Sequence, residues 1–193
     1  MITSKQDYKD YYRNDLMMTG ILHRSLLYHL VDRRYRFYKS LRYTEYITNC
    51  HPELFGGVYR KVLNIWHTRL CNRYGWTIPP NVFESGLTIV HVGTIVVSPL
   101  ARVGKNCRIH VDVNIGNAIS HGISGTPKMG DNIYIGPGAK IFGNITIGDN
   151  TAIGANAVVN KSFPEGNCTI AGIPATIVSH NSSEVYIGKE QDK

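Results

Sequence analysis

The sequence has few cysteines, few charged residues and no long apolar run, and each shortage excludes a class of protein. Its four cysteines, Cys50, Cys71, Cys107 and Cys168, lie far apart without a CxxC pair, so they form neither a zinc motif nor a disulfide framework. No apolar run approaches the roughly 20 residues of a membrane span, and the first ten residues are too polar for a signal peptide. A hydrophobic content of 42% excludes a disordered chain. We therefore expect a folded protein of the cytoplasm.

The positive charge is confined to the first part of the chain. The 193 residues carry a formal net charge of +7. Residues 1–77 hold 13 basic and 6 acidic side chains, whereas residues 78–193 hold 8 of each. Ten of the twelve tyrosines lie in the first segment, and 15 of the 19 glycines lie after it. Because the sharpest change in composition falls at Ile78-Pro79-Pro80, we expect two structurally different regions to meet there.

The first region has the spacing of amphipathic helices. Apolar residues recur at helical spacing over residues 16–31, and a second pattern runs over residues 35–42. A third helix is predicted over Val58–Tyr74. Its predicted face consists of Val58, Val62, Ile65, Trp66, Arg69 and Leu70.

Residues 32–39 interleave basic and aromatic side chains. Such a cluster can bind nucleic acid through phosphate contacts and base stacking. No nucleic-acid motif accompanies it, so we interpret it as a solvated helix whose aromatic face packs on a neighbour, and we predict no nucleic-acid partner. Peripheral contact of these basic helices with a membrane or an anionic glycan stays an alternative.

From Phe83 onward the sequence repeats every six residues, with an aliphatic residue in the lead and glycine often second. Four units in succession cover residues 135–158. The other leading positions are Phe83, Ile89 and Ile95, then Val103, Ile109 and Ile115 after two extra residues, and Met129 after a longer interruption. Each unit predicts a short strand and a turn, with the aliphatic side chain stacked on its equivalents in neighbouring coils. We predict a mainly β chain: an α-helical segment (1–77), a parallel β-helix (78–178) and a polar tail (179–193).

Residues 116–128 interrupt the period, and their small and polar side chains predict a projecting loop. In solenoid proteins such insertions tend to lie on the binding face. His121 in this loop and His91 in the repeat are equal candidates for a general base, because imidazole exchanges protons near neutral pH. His110 follows an inward-pointing residue at a corner, so we interpret it as a packing or surface residue.

The hexapeptide units, the loop ending in Thr126-Pro127-Lys128 and the closing Ala171-Gly172-Ile173-Pro174-Ala175 resemble the left-handed β-helix acyltransferases. Within that family the chain is most similar to the serine acetyltransferase branch, and there to relatives from capsular and exopolysaccharide gene clusters. The resemblance implies a left-handed coil and a homotrimer with each active site between two neighbouring β-helices. It also implies acetyl-CoA as co-substrate, no metal, and a bacterial cytoplasmic enzyme that is at most peripheral to the inner membrane.

The resemblance places His91 on the family's catalytic histidine, ahead of His121. The aspartate that precedes this histidine in serine acetyltransferases is Val90 here. The second active-site histidine and the arginine before it are Thr126 and Gly125. We therefore expect Thr126 at the substrate and predict that the acceptor is a sugar hydroxyl of a surface polysaccharide or its precursor. Serine O-acetylation and a non-catalytic β-helix scaffold remain the alternatives.

The resemblance also implies a set of CoA-binding positions, namely Asn117, Pro137, Ala155, Asn160 and Lys161. Lys161 would meet a phosphate by charge. Pro137 and Ala155 either leave room for the pantetheine arm or are simply small corner residues. The partner that orients His91 stays open between Glu84 and a backbone carbonyl.

Overall fold

The computed structural model describes residues 1–22, 24, 32–120 and 123–187. Within these residues a group of helices is followed by a coil of short, mostly parallel strands. The described helices include none that is both long and apolar enough to cross a membrane.

The described residues of the first region include three α-helices: α1 (Lys5–Met18), α2 (Arg33–Cys50) and α3 (Val58–Tyr74). The first two begin at side-chain caps, because Ser4 accepts from the Asp7 N–H and Asp32 accepts from the Arg34 N–H. A 3₁₀ turn at Leu54–Gly57 leads into α3.

The apolar pattern over residues 16–31 does not form one helix. Helix α1 ends at Met18, where the Thr19 hydroxyl donates to the Asp15 carbonyl oxygen at 2.8 Å. Ile21 leaves the helix and is fully buried. Residues 23 and 25–31 lie outside the described part of the chain.

Helix α3 has the predicted bounds but a different buried face. The exposed apolar residues are Val58, Val62, Ile65 and Trp66. The buried side is formed instead by His67, Cys71 and Tyr74. These residues pack inward because Tyr74 contacts Trp76, with ring centroids 5.2 Å apart, and His67 bonds to neighbouring segments.

The second region contains short strands. In chain order these are β1 (Trp76–Thr77), β2 (Thr88–Ile89), β3 (Ile95–Val97), β4 (Arg102–Val103), β5 (Arg108–Ile109), β6 (Val113–Gly116), β7 (Ala118–Ser120), β8 (Ile123–Gly125), β9 (Lys128–Met129), β10 (Tyr134–Ile135), β11 (Lys140–Phe142), β12 (Thr146–Ile147), β13 (Ala152–Ile153), β14 (Val158–Val159), β15 (Thr169–Gly172) and β16 (Ala175–Ser179).

The parallel strands form three sheets, which are the three faces of a coil. The first face has the order β1-β3-β6-β11-β14, the second β4-β9-β12, and the third β2-β5-β10-β13-β15. From β3 to β13 the coil strands pass from the first face to the second, to the third and back to the first. The fold is therefore a three-faced parallel β-helix with helices before it, as predicted, and its left-handedness stays a prediction.

The core of the coil is made of stacked aliphatic columns. On the third face the strand register stacks five fully buried isoleucines: Ile89, Ile109, Ile135, Ile153 and Ile170. Every leading position of the predicted hexapeptide pattern is buried. Because a single coil cannot enclose its own apolar side chain, this stacking supplies the core.

One corner of the coil, between the second and third faces, carries an asparagine ladder. Asn106, Asn132, Asn150 and Asn167 all have positive φ, from 49° to 57°, which asparagine tolerates better than most residues. Each side-chain amide donates to the next side chain, at 3.0, 2.8 and 2.9 Å. The ladder therefore fixes the turn and ties successive coils together.

The insertion at residues 116–128 is a hairpin rather than an irregular loop. Strands β7 and β8 pair antiparallel, and Asn117 bonds through its amide to the Ser124 hydroxyl at 2.8 Å. His121, which stands between these two strands in the sequence, lies outside the described residues.

Helices α1 and α2 cap the first coil through a buried charge cluster. Arg42, with no exposed surface, donates to both carboxylate oxygens of Asp15, at 2.7 and 3.2 Å, and to Glu45 at 2.9 Å. It also donates to the carbonyl oxygens of Phe83 and Glu84, both at 2.8 Å.

The same cap accepts from backbone N–H groups of the first coil. Asp15 accepts from Gly86 at 2.7 Å and from Leu87 at 3.0 Å. The hydroxyl of Tyr38 accepts from Ile89 at 2.9 Å. An uncovered sheet end would expose these groups, so the helices close the end of the β-helix.

The tail folds back on the coil. Strand β16 pairs antiparallel with β15, and the buried Ser183 N–H then donates to the Asn150 carbonyl oxygen at 3.0 Å. The Ser183 hydroxyl donates to the Asn132 carbonyl oxygen. These bonds hold the tail against the asparagine ladder.

Candidate functional site

The corner between the third and first faces carries the predicted base, and we call it the His91 corner. It consists of the turns at residues 90–94, 110–112, 136–139 and 154–157. His91, Pro137 and Ala155 lie on it in different coils, and all three are exposed. The Pro137 carbonyl oxygen accepts from the Asn156 N–H at 2.8 Å, which fixes the backbone between the two lower turns.

The other predicted positions lie on the corner between the first and second faces, which we call the hairpin corner. It consists of the turns at residues 98–101, 117–127, 143–145 and 160–162. Asn117, Thr126, Asn160 and Lys161 lie there. One chain therefore places the predicted site residues in two rows, along opposite edges of the first face.

Thr126 has a structural bond of its own. Its hydroxyl donates to the Leu100 carbonyl oxygen at 2.9 Å, which ties the base of the hairpin to the previous coil. The Lys161 ammonium is exposed and lies 5.7 Å from the centre of the Phe163 ring. Lys161 is thus a cation that a phosphate can approach.

His91 lies in the turn between β2 and β3, where its ring packs edge-on against His110 with centroids 6.2 Å apart. Within the described part of the chain, no carboxylate is hydrogen-bonded to the His91 ring. Glu84 does not orient it, because its carboxylate accepts from the Met1 amino group at 2.6 Å and from the Tyr11 hydroxyl.

Further rings follow His91, first on the corner and then on the third face. His110 packs against Tyr134 at 5.3 Å, and Tyr134 stacks on Tyr186 of the tail at 4.4 Å. The sequence carried a signal for this row, since His110 occupies the place that Gly136 and Gly154 take in the next coils. Sequence reasoning treated His110 as a packing or surface residue and missed its contact with His91.

A second cluster of chemically active side chains is buried in the helices. His67 bonds to the Ser40 hydroxyl at 3.0 Å and to the Ile78 carbonyl oxygen at 3.0 Å, and Cys71 lies 3.4 Å away. Burial lowers the pKa of His67 and raises the pKa of Cys71 to about 11. Because no surface reaches this cluster, we assign it to packing. Among the described residues no group of His, Cys, Asp or Glu could hold a metal ion.

Comparisons with known proteins give this geometry its context. Residues 126–161 match the family model of the bacterial transferase hexapeptide (six repeats). A serine acetyltransferase of Staphylococcus xylosus is 40% identical over 106 residues, which cover 55% of this chain and 48% of that relative. The crystal structure of Neisseria gonorrhoeae serine acetyltransferase has a TM-score of 0.72 at 26% identity, covering 97% of this chain and 71% of that one. Serine acetyltransferase from Brucella abortus strain S19 in complex with Coenzyme A has a TM-score of 0.70 at 27% identity, covering 92% and 70%.

These comparisons correct the predicted acceptor. The relatives are named serine acetyltransferases, so the predicted sugar acceptor is wrong, and these relatives do not support the predicted branch of capsular and exopolysaccharide enzymes. The error came from Val90 and Thr126, because the loss of two contacts does not specify a sugar. The chain spans about half the length of the curated relatives it matches.

Proposed function

We propose that this hexapeptide-repeat transferase, a homologue of the serine acetyltransferases, transfers acetyl from acetyl-CoA to the hydroxyl of serine with His91 as general base. The proposal rests on His91, which is exposed on the same corner as the small residues Pro137 and Ala155. The relatives of the chain are named serine acetyltransferases. The alternative function of a scaffold does not call for an exposed histidine at this position.

The residues present fit acetyl-CoA as a substrate. Pro137 and Ala155 are small and exposed, so their corner leaves space for an extended chain. Lys161 supplies a positive charge for a phosphate, and Asn160 beside it is exposed as well. We propose that these residues hold acetyl-CoA, which supplies the acetyl group as a thioester.

The proposed chemistry needs one proton acceptor. His91 takes the proton of the serine hydroxyl as the bond between that oxygen and the acetyl carbon forms. The bond from this carbon to sulfur breaks, and the proton passes from His91 to the departing thiolate. The ring is accessible for this role because it is exposed and not hydrogen-bonded to a carboxylate among the described side chains.

We further propose that the complete site forms between copies of the chain in a left-handed homotrimer. His91 and the row of Asn117, Thr126, Asn160 and Lys161 lie on opposite edges of the first face. A neighbouring copy that brings its own hairpin corner against His91 would unite the two rows. In this assembly we place Thr126 at the acceptor, with its hydroxyl already bonded to Leu100.

The test is release of free CoA thiol from acetyl-CoA in the presence of L-serine. We expect turnover by the wild-type chain and a loss of about 10²-fold to 10⁴-fold in kcat for His91→Ala. His51→Ala is the matched control, because His51 is exposed at the end of α2 and bonds only locally, to Tyr46 at 2.8 Å.

Two results would contradict the proposal. Absence of CoA release with serine would refute the acceptor, and full activity of His91→Ala would refute the base. In the second case the His121→Ala variant decides whether the hairpin histidine is the base. Sedimentation of each variant verifies that its assembly is unchanged.

A further inference from the structure

Four rings lie in a row that begins on the His91 corner and runs onto the third face, and we call them the ring row. They are His91, His110 and Tyr134 from three successive coils and Tyr186 from the tail. The centroid distances fall from 6.2 to 5.3 to 4.4 Å along the row. The contact between His110 and Tyr134 is diagonal, because the register places His110 level with Gly136 and Tyr134 level with Arg108. Neighbouring strands in a sheet lie about 4.8 Å apart, so large side chains offset along them still come within ring-contact distance.

His110 departs from the repeat at this corner. It follows the inward Ile109, as Gly136 follows Ile135 and Gly154 follows Ile153. At Gly136 an added Cβ would lie 2.8 Å from a backbone nitrogen of the next coil, so the lower coil has no room for a side chain. At the position after the inward isoleucine, the chain thus has Val90 beside His91, a ring at His110 in the next coil, and glycine in the two coils that follow.

The tail holds the far end of the ring row. Thr169 donates through its hydroxyl to the Asn181 carbonyl oxygen at 2.9 Å, and the buried Ser183 bonds to two turns of the asparagine ladder. These contacts place Tyr186 flat against Tyr134, with ring planes 25° apart. Burial raises the pKa of Tyr134 against the opposing charge of Arg108, so this ring stays neutral.

We propose that His110 is a positioning residue for His91, braced by Tyr134 and Tyr186. This inference rests on the proposed function, in which His91 is the base. Where serine acetyltransferases carry an aspartate next to that histidine, this chain carries Val90, and its described residues include no carboxylate bonded to the ring. The ring of His110, inclined at 61° to the ring of His91, restricts the rotation of His91 by packing instead.

Steady-state kinetics test this role with His110→Ala and His110→Phe. We expect His110→Ala to lower kcat about three-fold to ten-fold at unchanged KM for acetyl-CoA and serine, the size expected for loss of one aromatic contact. His110→Phe keeps a ring and should recover most of the loss. Tyr186→Ala should lower kcat about two-fold, because Tyr186 acts on His110 only through Tyr134. Tyr186→Phe keeps the ring and should leave kcat unchanged. In the His91→Ala background, His110→Ala should add no loss.

A measurement without turnover separates this inference from the proposed function. The His91 Hε1 resonance, identified by its absence in His91→Ala, should shift in His110→Ala and return near its wild-type position in His110→Phe. If the wild type does not acetylate serine but this shift occurs, the acceptor fails and the packing role stands.

Three results would overturn the inference. The first is a His91 resonance that does not move in His110→Ala. The second is a change confined to KM, which would make His110 a substrate contact. The third is a kcat loss in His110→Phe as large as in His110→Ala, which would make the imidazole itself a participant. Thermal unfolding verifies folding, and Tyr186→Ala keeps the test available if His110→Ala fails to fold.

Discussion

The helices and the β-helix satisfy their buried polar groups in opposite ways. The helices bury three charged side chains, Asp15, Arg42 and Glu45, whereas the buried residues that the structure describes in the coil include no charged one. Each coil forms its hydrogen bonds with the next coil, so backbone and side-chain amides in short turns are enough to satisfy the polar groups of a repeating unit. The first coil has no coil before it, and the helices supply a different partner for its free edge.

The contrast changes how the charge of the first region is interpreted. Its surplus of basic residues suggests a surface for an anionic partner, but Arg42 is completely buried and is used against the coil. In the cluster at residues 32–39, Phe37 and Tyr38 are also buried, and Phe37 packs on Trp76 at 4.8 Å. Part of the basic and aromatic character of this region therefore serves the cap.

The largest expected effect on stability comes from removing the positive charge at the centre of the cap. We expect Arg42→Met to lower the free energy of unfolding by about 3–5 kcal/mol, because Asp15 and Glu45 stay buried without their partner. Urea unfolding measures the effect, with Arg69→Met at an exposed site of α3 as the control.

The reason for that loss can be tested separately. If buried carboxylates without a partner cause the loss of stability, adding Glu45→Gln to Arg42→Met should recover part of it. A loss below about 1 kcal/mol in Arg42→Met would mean that the cap is held by apolar packing alone.

A second test concerns the asparagine ladder, which ties the coils together. Asn132 has a φ of 55° and exchanges side-chain bonds with Asn106 and Asn150. We expect Asn132→Ala to cost about 2–3 kcal/mol, from lost bonds and from a positive φ, and Asn132→Gly about 1 kcal/mol less because glycine accepts that φ.

Asn167→Gly is the matched control for this pair, because within the described ladder Asn167 bonds to Asn150 alone. It should cost less than Asn132→Gly when unfolding is followed by circular dichroism. Equal losses for Asn132→Ala and Asn132→Gly would show that the side-chain bonds, and not the turn conformation, determine the effect.

The smallest expected effect is a pH dependence that belongs to the helices. Burial lowers the pKa of His67 below its ordinary value, so the folded state holds a neutral ring. The neutral ring contributes its full stabilisation above the pKa of the unfolded state, about 6.5. As pH falls below that value, the free energy of unfolding decreases by about 1 kcal/mol over one pH unit. Unfolding at several pH values measures it. His67→Gln should remove this dependence, and His51→Gln at an exposed site should keep it.

The sequence predicted the coil well because its signal is local and repeated. The inward positions from Phe83 to Val159 follow from spacing alone, and the place of His91, Pro137 and Ala155 on one corner follows from the same register. The cap could not be predicted in this way, since Arg42 and Asp15 meet across different helices and no period relates them.

Two features of the site also escaped the sequence. The contact between His91 and His110 depends on side-chain directions at a turn, and that of Tyr134 with Tyr186 depends on the path of the tail. The acceptor was misjudged because Val90 and Thr126 report which contacts are missing and not which substrate is bound. Serine as acceptor stays a proposal that CoA release will test.

The asparagine ladder gives the coil a direction in which it could grow. Asn132 and Asn150 each accept from the coil before and donate to the coil after. The ladder begins at Asn14 of α1, which donates to Asn106 at 3.5 Å, and ends at Asn167, which accepts from Asn150. A duplication of one whole coil would bring its own asparagine and leave every bond in phase, whereas a single inserted residue would put one rung out of step. Lengthening by complete turns is thus a change that this architecture accepts.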